Sequence, residues 1–231
     1  MRAVAELDPA PAAVLVSGDL TDHATGAEYE RVAELLEPLA MPVHVLPGNH
    51  DDPDGLRTHL GAPGRSGEPL QYAQRIGPLR VIACDTTRPG RIDGALGEER
   101  LGWLEAQLAE EPDTPTVVAM HHPPILTGVG ALDLVGLAAA DRAALGELVA
   151  RSPQVRRLVA GHIHRAATGA VGGCPAFVCP SSYLQLSLDL GPSSQIALVR
   201  EPPGFALHVA TGDGLTSHVQ PIGDYGPPFL L

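Results

Sequence analysis

The sequence predicts an α/β sandwich, on three observations. Short apolar runs alternate with amphipathic stretches as far as residue 164. Four of those runs stop abruptly at a group of Asp, Asn or His residues. Beyond residue 164 the alternation gives way to short β-like segments separated by Gly, Pro or Ser.

Residues 13–17 (AVLVS) are apolar on both faces, as buried parallel strands are. Thr25 and Glu28 have the capping-box spacing, and Val32, Leu35, Leu36 and Leu39 then fall on one helical face until Pro42 closes the unit. Residues 43–46 (VHVL) form the next strand and run into PGNHDD. A strand at 79–84 (LRVIAC) precedes a helix from Glu98 to Leu108, with Leu101, Leu104 and Leu108 on one side. A strand at 116–120 (TVVAM) ends at HHPP; a helix spans Asp141 to Ala150, and a strand at 155–160 (VRRLVA) ends at GHIH. This order predicts βαβ units with parallel strands. Segments 166–171, 175–179, 183–189, 195–199 and 205–210 are expected to be antiparallel strands packed as a second sheet. With no internal repeat and no long linker, residues 1–231 read as one domain.

Composition narrows the partners. Hydrophobic residues make up 44% of the chain and aromatics 3%, so the core must be built from Ala, Val, Leu and Ile. A formal charge of −12 argues against a nucleic-acid polymer as partner, yet allows a small phosphate ester where a metal reverses the sign locally. Cys84, Cys174 and Cys179 have neither metal-site nor disulfide spacing; the odd count and the lack of a signal-like N-terminus predict a cytoplasmic protein, with Cys174 and Cys179 as strand thiols. No apolar run approaches the ~20 residues that span a bilayer, so no membrane partner is expected.

The chemistry lies in four clusters: Gly18-Asp19 with Asp22; Gly48-Asn49-His50-Asp51; His121-His122-Pro123-Pro124; and Gly161-His162 with His164. Each follows a predicted strand at once. In a parallel sheet, ligands bind outside the carboxyl ends of the strands, so the four should converge although they span almost the whole first two thirds of the chain. Asp, Asn and His without Cys suit Mn, Fe, Co or Zn, and a carboxylate can bridge two ions about 3.5–4 Å apart. Glycines 18, 48 and 161 permit tight turns beside the ions.

GDLTD, GNHD, HHPP and GHIH, in this order, resemble the calcineurin-like metallophosphoesterases, and within them the bacterial class III cyclic-nucleotide phosphodiesterases. GALGEERLGWLEAQL, VVAMHHPPI and RRLVAGHIHRAATGAVGGCPAFVCPSS extend the resemblance over nearly the whole chain. It implies a four-layer α/β/β/α sandwich. The implied activity is hydrolysis of small phosphodiesters, first of all 3′,5′-cyclic nucleotides, by metal-bound hydroxide attack on phosphorus. By position, Asp19 would bridge two metals, Asn49, His121 and His162 would complete one site, and His164 would bind the other metal. His50 would contact the phosphate and protonate the leaving alkoxide, a task suited to a group that titrates near neutrality. Asp22 and Asp51 resemble orienting groups, and His122 a residue that shapes its loop. His23, His44, His59, His208 and His218 stand outside any motif, and Asp85 is expected to cap a strand end.

The resemblance has one gap. The family opens with a strand ending in Asp-x-His, and none occurs before Asp19. Residues 2–7 resemble the last turns of the helix that follows that strand, and Asp8, with Ala10 where a His is needed, is expected to be a turn residue. The expectation is therefore a sandwich lacking its first strand, with unpaired edges beside the gap, and a chain without its true N-terminus. One metal site is then complete, and the other is left with Asp19 and His164. The alternatives are a binding or scaffold relic with an incomplete metal site, or a hydrolase of glycerophosphodiesters or phosphomonoesters. Substrate choice is expected in loops 62–70 and 123–137, and a homodimer is compatible with the low charge density of the C-terminal third.

Overall fold

The computed structural model describes residues 1–192, 195–212 and 214–226. The elements in chain order are α1 (Arg2–Ala5), β1 (Val14–Ser17), α2 (Gly26–Leu36), β2 (Val43–Leu46), α3 (Pro53–Leu60), β3 (Tyr72–Ile76), β4 (Leu79–Cys84), α4 (Gly97–Glu110) and β5 (Thr116–Met120). They continue with α5 (Gly130–Asp133), α6 (Ala139–Ala150), β6 (Val155–Ala160), β7 (Ala167–Val171), β8 (Cys174–Val178), β9 (Gln185–Leu186), β10 (Leu198–Val199), β11 (Gly204–Thr211) and β12 (Gly214–Pro221). Local chemistry sets the ends. The Thr25 side chain accepts the Glu28 N–H while the Glu28 carboxylate takes the Thr25 N–H, the predicted capping box. Asp52 caps α3, Pro53 opens it, and Gly61 closes it at φ 66°.

Six strands form one mixed sheet in the order β3-β4-β5-β6-β8-β7, parallel from β4 through β8, with antiparallel edges. Alternation gives that sheet two apolar faces. Ile82, Val118 and Leu158 point toward Leu104, Leu108, Leu145 and Leu148 of α4 and α6. Val81, Ala83, Val117, Ala119 and Val159 point the other way, onto Leu15 and Leu46 of the parallel pair β1–β2 and Leu215 of β12. Tyr29 of α2 and Leu56 of α3 cover the outer side of β1–β2 through Val16, Val43 and Val45. The layers are thus α2–α3, then β1–β2, then the six-stranded sheet, then α4–α6, which is the α/β/β/α order expected. Among the described residues β1 pairs with β2 alone, and all four of its residues stay half-buried.

The C-terminal third departs from expectation. β7 and β8 extend the main sheet instead of forming a second one, with Leu158 opposite Ala176 and Ala160 opposite Val178. As an interior strand between β6 and β7, β8 buries Ala176, Phe177 and Val178, so successive residues face apolar neighbours on both sides. The strands expected at 183–189 and 195–199 shrink to Gln185–Leu186 and Leu198–Val199, while β11 gains a partner in β12. Asp8 lies in a bend, and Cys84, Cys174 and Cys179 are free thiols.

His208 of β11 packs edge-on against Phe177 and bonds Ser217 Oγ through Nδ1 at 2.7 Å. Burial, with the Arg157 charge, pushes its imidazole down to about 4. The folded protein then binds this proton less readily than the unfolded chain, so stability is complete above about pH 6.5 and falls as the pH drops toward 4, by roughly 2–3 kcal/mol. His208→Phe is expected to flatten the stability profile in urea unfolding over that window. Parallel profiles for the two proteins would assign the acid lability elsewhere.

Candidate metal centre

All four predicted clusters sit at the carboxyl ends of parallel strands: Asp19 after β1, Asn49 and His50 after β2, His121 after β5, and His162 and His164 after β6. Their meeting point is His121 Nε2. It lies 3.3 Å from Asp19 Oδ2, 3.3 Å from Asn49 Oδ1 and 3.1 Å from His162 Nδ1. On the other side of the ring, His121 Nδ1 donates to the Ser17 carbonyl at 2.7 Å, which leaves a lone pair on Nε2. Imidazole nitrogens, a carboxylate and an amide oxygen therefore turn lone pairs toward one another. Such a group is satisfied by a cation or by a proton.

The electrostatics agree. Burial raises the Asp19 carboxyl, but His121 and the His50 N–H outweigh it and hold Asp19 well below the usual carboxylate range. Burial lowers His121, and the Asp19 carboxylate reverses this to a net rise. His162 is driven down by burial and by the neighbouring His121 and His122, so its ring is neutral, the form that ligates metals. His162 Nε2 is buried without a hydrogen-bond partner.

The backbone is bent to serve this point. Asp19, His162 and His164 all adopt left-handed φ values of 55°, 69° and 47°, a conformation that costs non-glycine residues energy and that concentrates at functional sites. Two glycines let the loops close. A Cβ on Gly18 would stand 2.4 Å from His121 Nδ1, and one on Gly48 would stand 2.1 Å from Asp19 Oδ1. Asp51 clamps these loops together, its carboxylate accepting from the N–H groups of Leu20, Thr21 and Gly48 and from the Thr21 hydroxyl.

His50 stands at the rim. Its N–H donates to Asp19 Oδ1 at 3.1 Å, and its Nδ1 lies 3.0 Å from the Asp22 carbonyl and 3.4 Å from the Asp22 carboxylate. The ring is 46% exposed, and among the described residues Nε2 has no partner. His164 bonds the Leu184 carbonyl through Nδ1 at 2.9 Å, which leaves Nε2 open; burial lowers its pKa, and the charges acting on it include Asp19 and His50.

Among the described residues, His121, His122 and His162 bring ring nitrogens within 4.8 Å of one another. Hydrogen bonding removes His122 from this trio. Its Nε2 donates to the Ile92 carbonyl at 2.9 Å and its Nδ1 accepts from Thr86 Oγ1 at 2.8 Å, so neither nitrogen is free. His122 shapes its loop from a buried position, as expected. Asp85 is more than a cap: fully buried, it accepts from the N–H groups of Leu70 and Thr87 and from the Thr87 hydroxyl, with Arg100 at 3.5 Å. Beside Asn49 a cleft of about 420 Å³ opens toward Glu68, Thr87, Arg88 and Arg100. Loop 62–70 lines it through Gly67, Glu68 and Pro69, whereas loop 123–137 does not. Arg88 stands in no quoted motif, and Arg100 lies in the GALGEERLGWLEAQL segment without having been singled out as a site residue.

The family model for calcineurin-like phosphoesterases matches residues 1–166. A probable glycerophosphodiester phosphodiesterase, GpdQ, from Arcobacter nitrofigilis is 34% identical over 96% of this chain and 82% of its own length. A probable cyclic nucleotide phosphodiesterase from Synechococcus is 36% identical over 84% of this chain and 74% of its own. Among solved structures, a dimetal phosphatase from Danio rerio shares the fold with a TM-score of 0.58 at 17% identity, over 73% of this chain and 72% of that one. Purple acid phosphatase PPD1 from yellow lupin gives 0.64 at 17% identity, over 90% and 44%. The donor cluster, the layer order and the relatives agree, and the chain belongs to the calcineurin-like phosphoesterase family.

Proposed function

We propose that this chain hydrolyses small phosphodiesters, with 3′,5′-cyclic nucleotides as the first candidates, at a centre built on Asp19, Asn49, His121 and His162. The observation that carries the reading is the convergence of lone pairs on His121 Nε2, which the structure leaves for a cation to satisfy. The family uses divalent metals, and these oxygen and imidazole donors suit Mn, Fe, Co or Zn. A second ion would take Asp19 and His164. When bound, the metal supplies Lewis acidity toward phosphate oxygens and makes water more acidic.

The chain's own residues do the rest. Asp19 and Asn49 orient from one loop pair, His121 and His162 from the other, and the Asp51 clamp holds the two loops after β1 and β2 in register. Asp22 fixes His50 through Nδ1, so Nε2 can carry a proton to the departing oxygen as the bond from phosphorus to that oxygen breaks. The cleft at Asn49 receives the remainder of the substrate, and relatives named for both cyclic nucleotides and glycerophosphodiesters make these the two classes to compare.

A second reading, a one-metal or metal-free binding protein, draws on the other position: the carboxylate acting on His164 is Asp19, which the first cluster already uses. One experiment separates the two. After Mn or Zn loading and desalting, elemental analysis is expected to find at least one ion per chain, and the loaded protein should cleave bis(p-nitrophenyl) phosphate and one of the two natural classes. Turnover of none of these diesters, with one ion retained or with none, would leave the binding-protein reading.

A further inference from the structure

We propose that a second cleft, lined by Arg88, Arg91 and Arg100, binds a phosphate monoester dianion next to the substrate cleft. It has a volume of about 380 Å³ and adjoins the cleft at Asn49, with Thr87, Arg88, Pro89 and Arg100 standing in both. Its lining holds three guanidinium groups and, among the described residues, no carboxylate. In a chain of formal charge −12, whose surface mostly repels anions, such a pocket is a local reversal of sign.

Each guanidinium is held through one nitrogen. Arg88 Nη1 donates to Asp93 Oδ2 at 2.6 Å, and Arg91 Nε donates to Asp93 Oδ1 at 2.8 Å. Arg100 Nη1 donates to the carbonyls of Asp85 and Thr87, both at 2.9 Å, and of Ala95 at 3.3 Å, with the Asp85 carboxylate 3.5 Å away. The other two nitrogens of each group have no partner among the described residues. The three side chains are therefore anchored on one side and left with donors to spare, so a ligand need not order them. Asp93 and Asp85 offset two of the three charges, which leaves the cleft net positive.

The donors select the ligand. A carboxylate is planar and is satisfied by one guanidinium fork. A phosphate monoester carries about −1.5 to −2 near neutrality and offers three acceptor oxygens, which matches donors from three side chains. The dipole of α4 is not the attraction: the helix starts at this cleft with Gly97, but the Asp141 carboxylate already accepts from the N–H groups of Leu96 and Gly97. Two sources fit the same chemistry. One is a second phosphate on the alcohol portion of a diester seated at Asn49, which rests on the proposed hydrolysis; the other is free inorganic phosphate, which does not.

Amide hydrogen exchange on the metal-loaded full chain at low ionic strength tests the site. Inorganic phosphate at about 5 mM is expected to slow exchange over residues 87–97, and Arg91→Gln should remove that slowing. Arg91 is exposed and lies outside the Asn49 cleft, so its substitution should change neither metal content nor turnover of bis(p-nitrophenyl) phosphate. Kinetics then identify the source. Thymidine 5′-(p-nitrophenyl phosphate) bearing a 3′-phosphate is expected to show a kcat/KM about tenfold above that of the same diester without it, and Arg91→Gln should erase most of the difference. Protection by inorganic phosphate without this kinetic advantage would support the site and assign it to the free anion. Exchange over 87–97 that phosphate leaves unmoved, or slows equally in Arg91→Gln, would overturn the proposal. Phosphate protection in a chain that cleaves no diester would keep the site and remove the hydrolase reading.

Discussion

Asp19→Ala is expected to leave the desalted protein essentially without metal and to lower phosphodiester turnover by about 10³-fold or more. Asp19 does three things at once. Its Oδ2 faces His121 Nε2, its Oδ1 accepts the His50 N–H, and its charge is the carboxylate acting on His164. Removing it takes a donor from the centre and loosens the loop that presents His50. Asp19→Asn separates these effects, because it keeps an oxygen for the His50 N–H while losing the charge. Both variants should lose metal by elemental analysis, and the Asn variant should unfold in urea closer to wild type. Full metal retention in both would show that the cation is held elsewhere.

His50→Ala is expected to lower kcat about 10²- to 10⁴-fold with metal content unchanged. Among the described residues the side chain, at the rim, bonds Asp22 alone, and the contact with Asp19 runs through the backbone N–H. Its value should depend on the leaving group. An alkoxide such as a ribose oxygen needs a proton as it departs, whereas p-nitrophenolate is a stable anion and needs none. The variant should therefore be far more impaired on a cyclic nucleotide or glycerophosphodiester than on bis(p-nitrophenyl) phosphate. An equal loss on both would make His50 a binding group and not a proton donor.

The convergence of the four clusters was legible in the sequence because strand ends and residue types carry it together. Asp19, Asn49, His121 and His162 meet although no two of them lie within 25 residues in the chain, as the strand-end rule requires. The conformations were not legible: left-handed φ at Asp19, His162 and His164 is imposed by the surrounding loops and opposes local preference. The closed hydrogen bonds of His122 were hidden too, because Thr86 and Ile92 are tertiary neighbours.

Among the elements, β2, β4, β5 and β6 matched their predicted ranges because their runs are dominated by β-branched and apolar residues, with only His44, Arg80, Arg156 and Arg157 interrupting them. β3 was missed because two of its residues, Gln74 and Arg75, are exposed and polar on an edge strand. α3 was missed because its burial rests largely on Leu56, too little for a helical stripe, although Asp52, Pro53 and Gly61 mark both of its ends. β8 is ambiguous in sequence. Its residues say that it is buried on both faces but not which sheet receives it.

The two inner layers of the sandwich have a thermodynamic consequence. Among the described residues no backbone ladder joins β1–β2 to the six-stranded sheet; the layers meet through side chains such as Leu46, Ala83 and Ala119. Asp19 and Asn49 belong to the first layer, and His121 and His162 to the second. A cation held by all four would be a rivet between plates otherwise joined by side-chain packing and by single hydrogen bonds such as His121 Nδ1 to the Ser17 carbonyl and the Tyr72 hydroxyl to the Val45 carbonyl. Its binding adds to the free energy of keeping them together, by about 2.7 kcal/mol at a hundredfold excess over Kd. The melting temperature should then climb with free metal concentration, and chelation should free the β1–β2 plate to exchange its amides before the six-stranded sheet does.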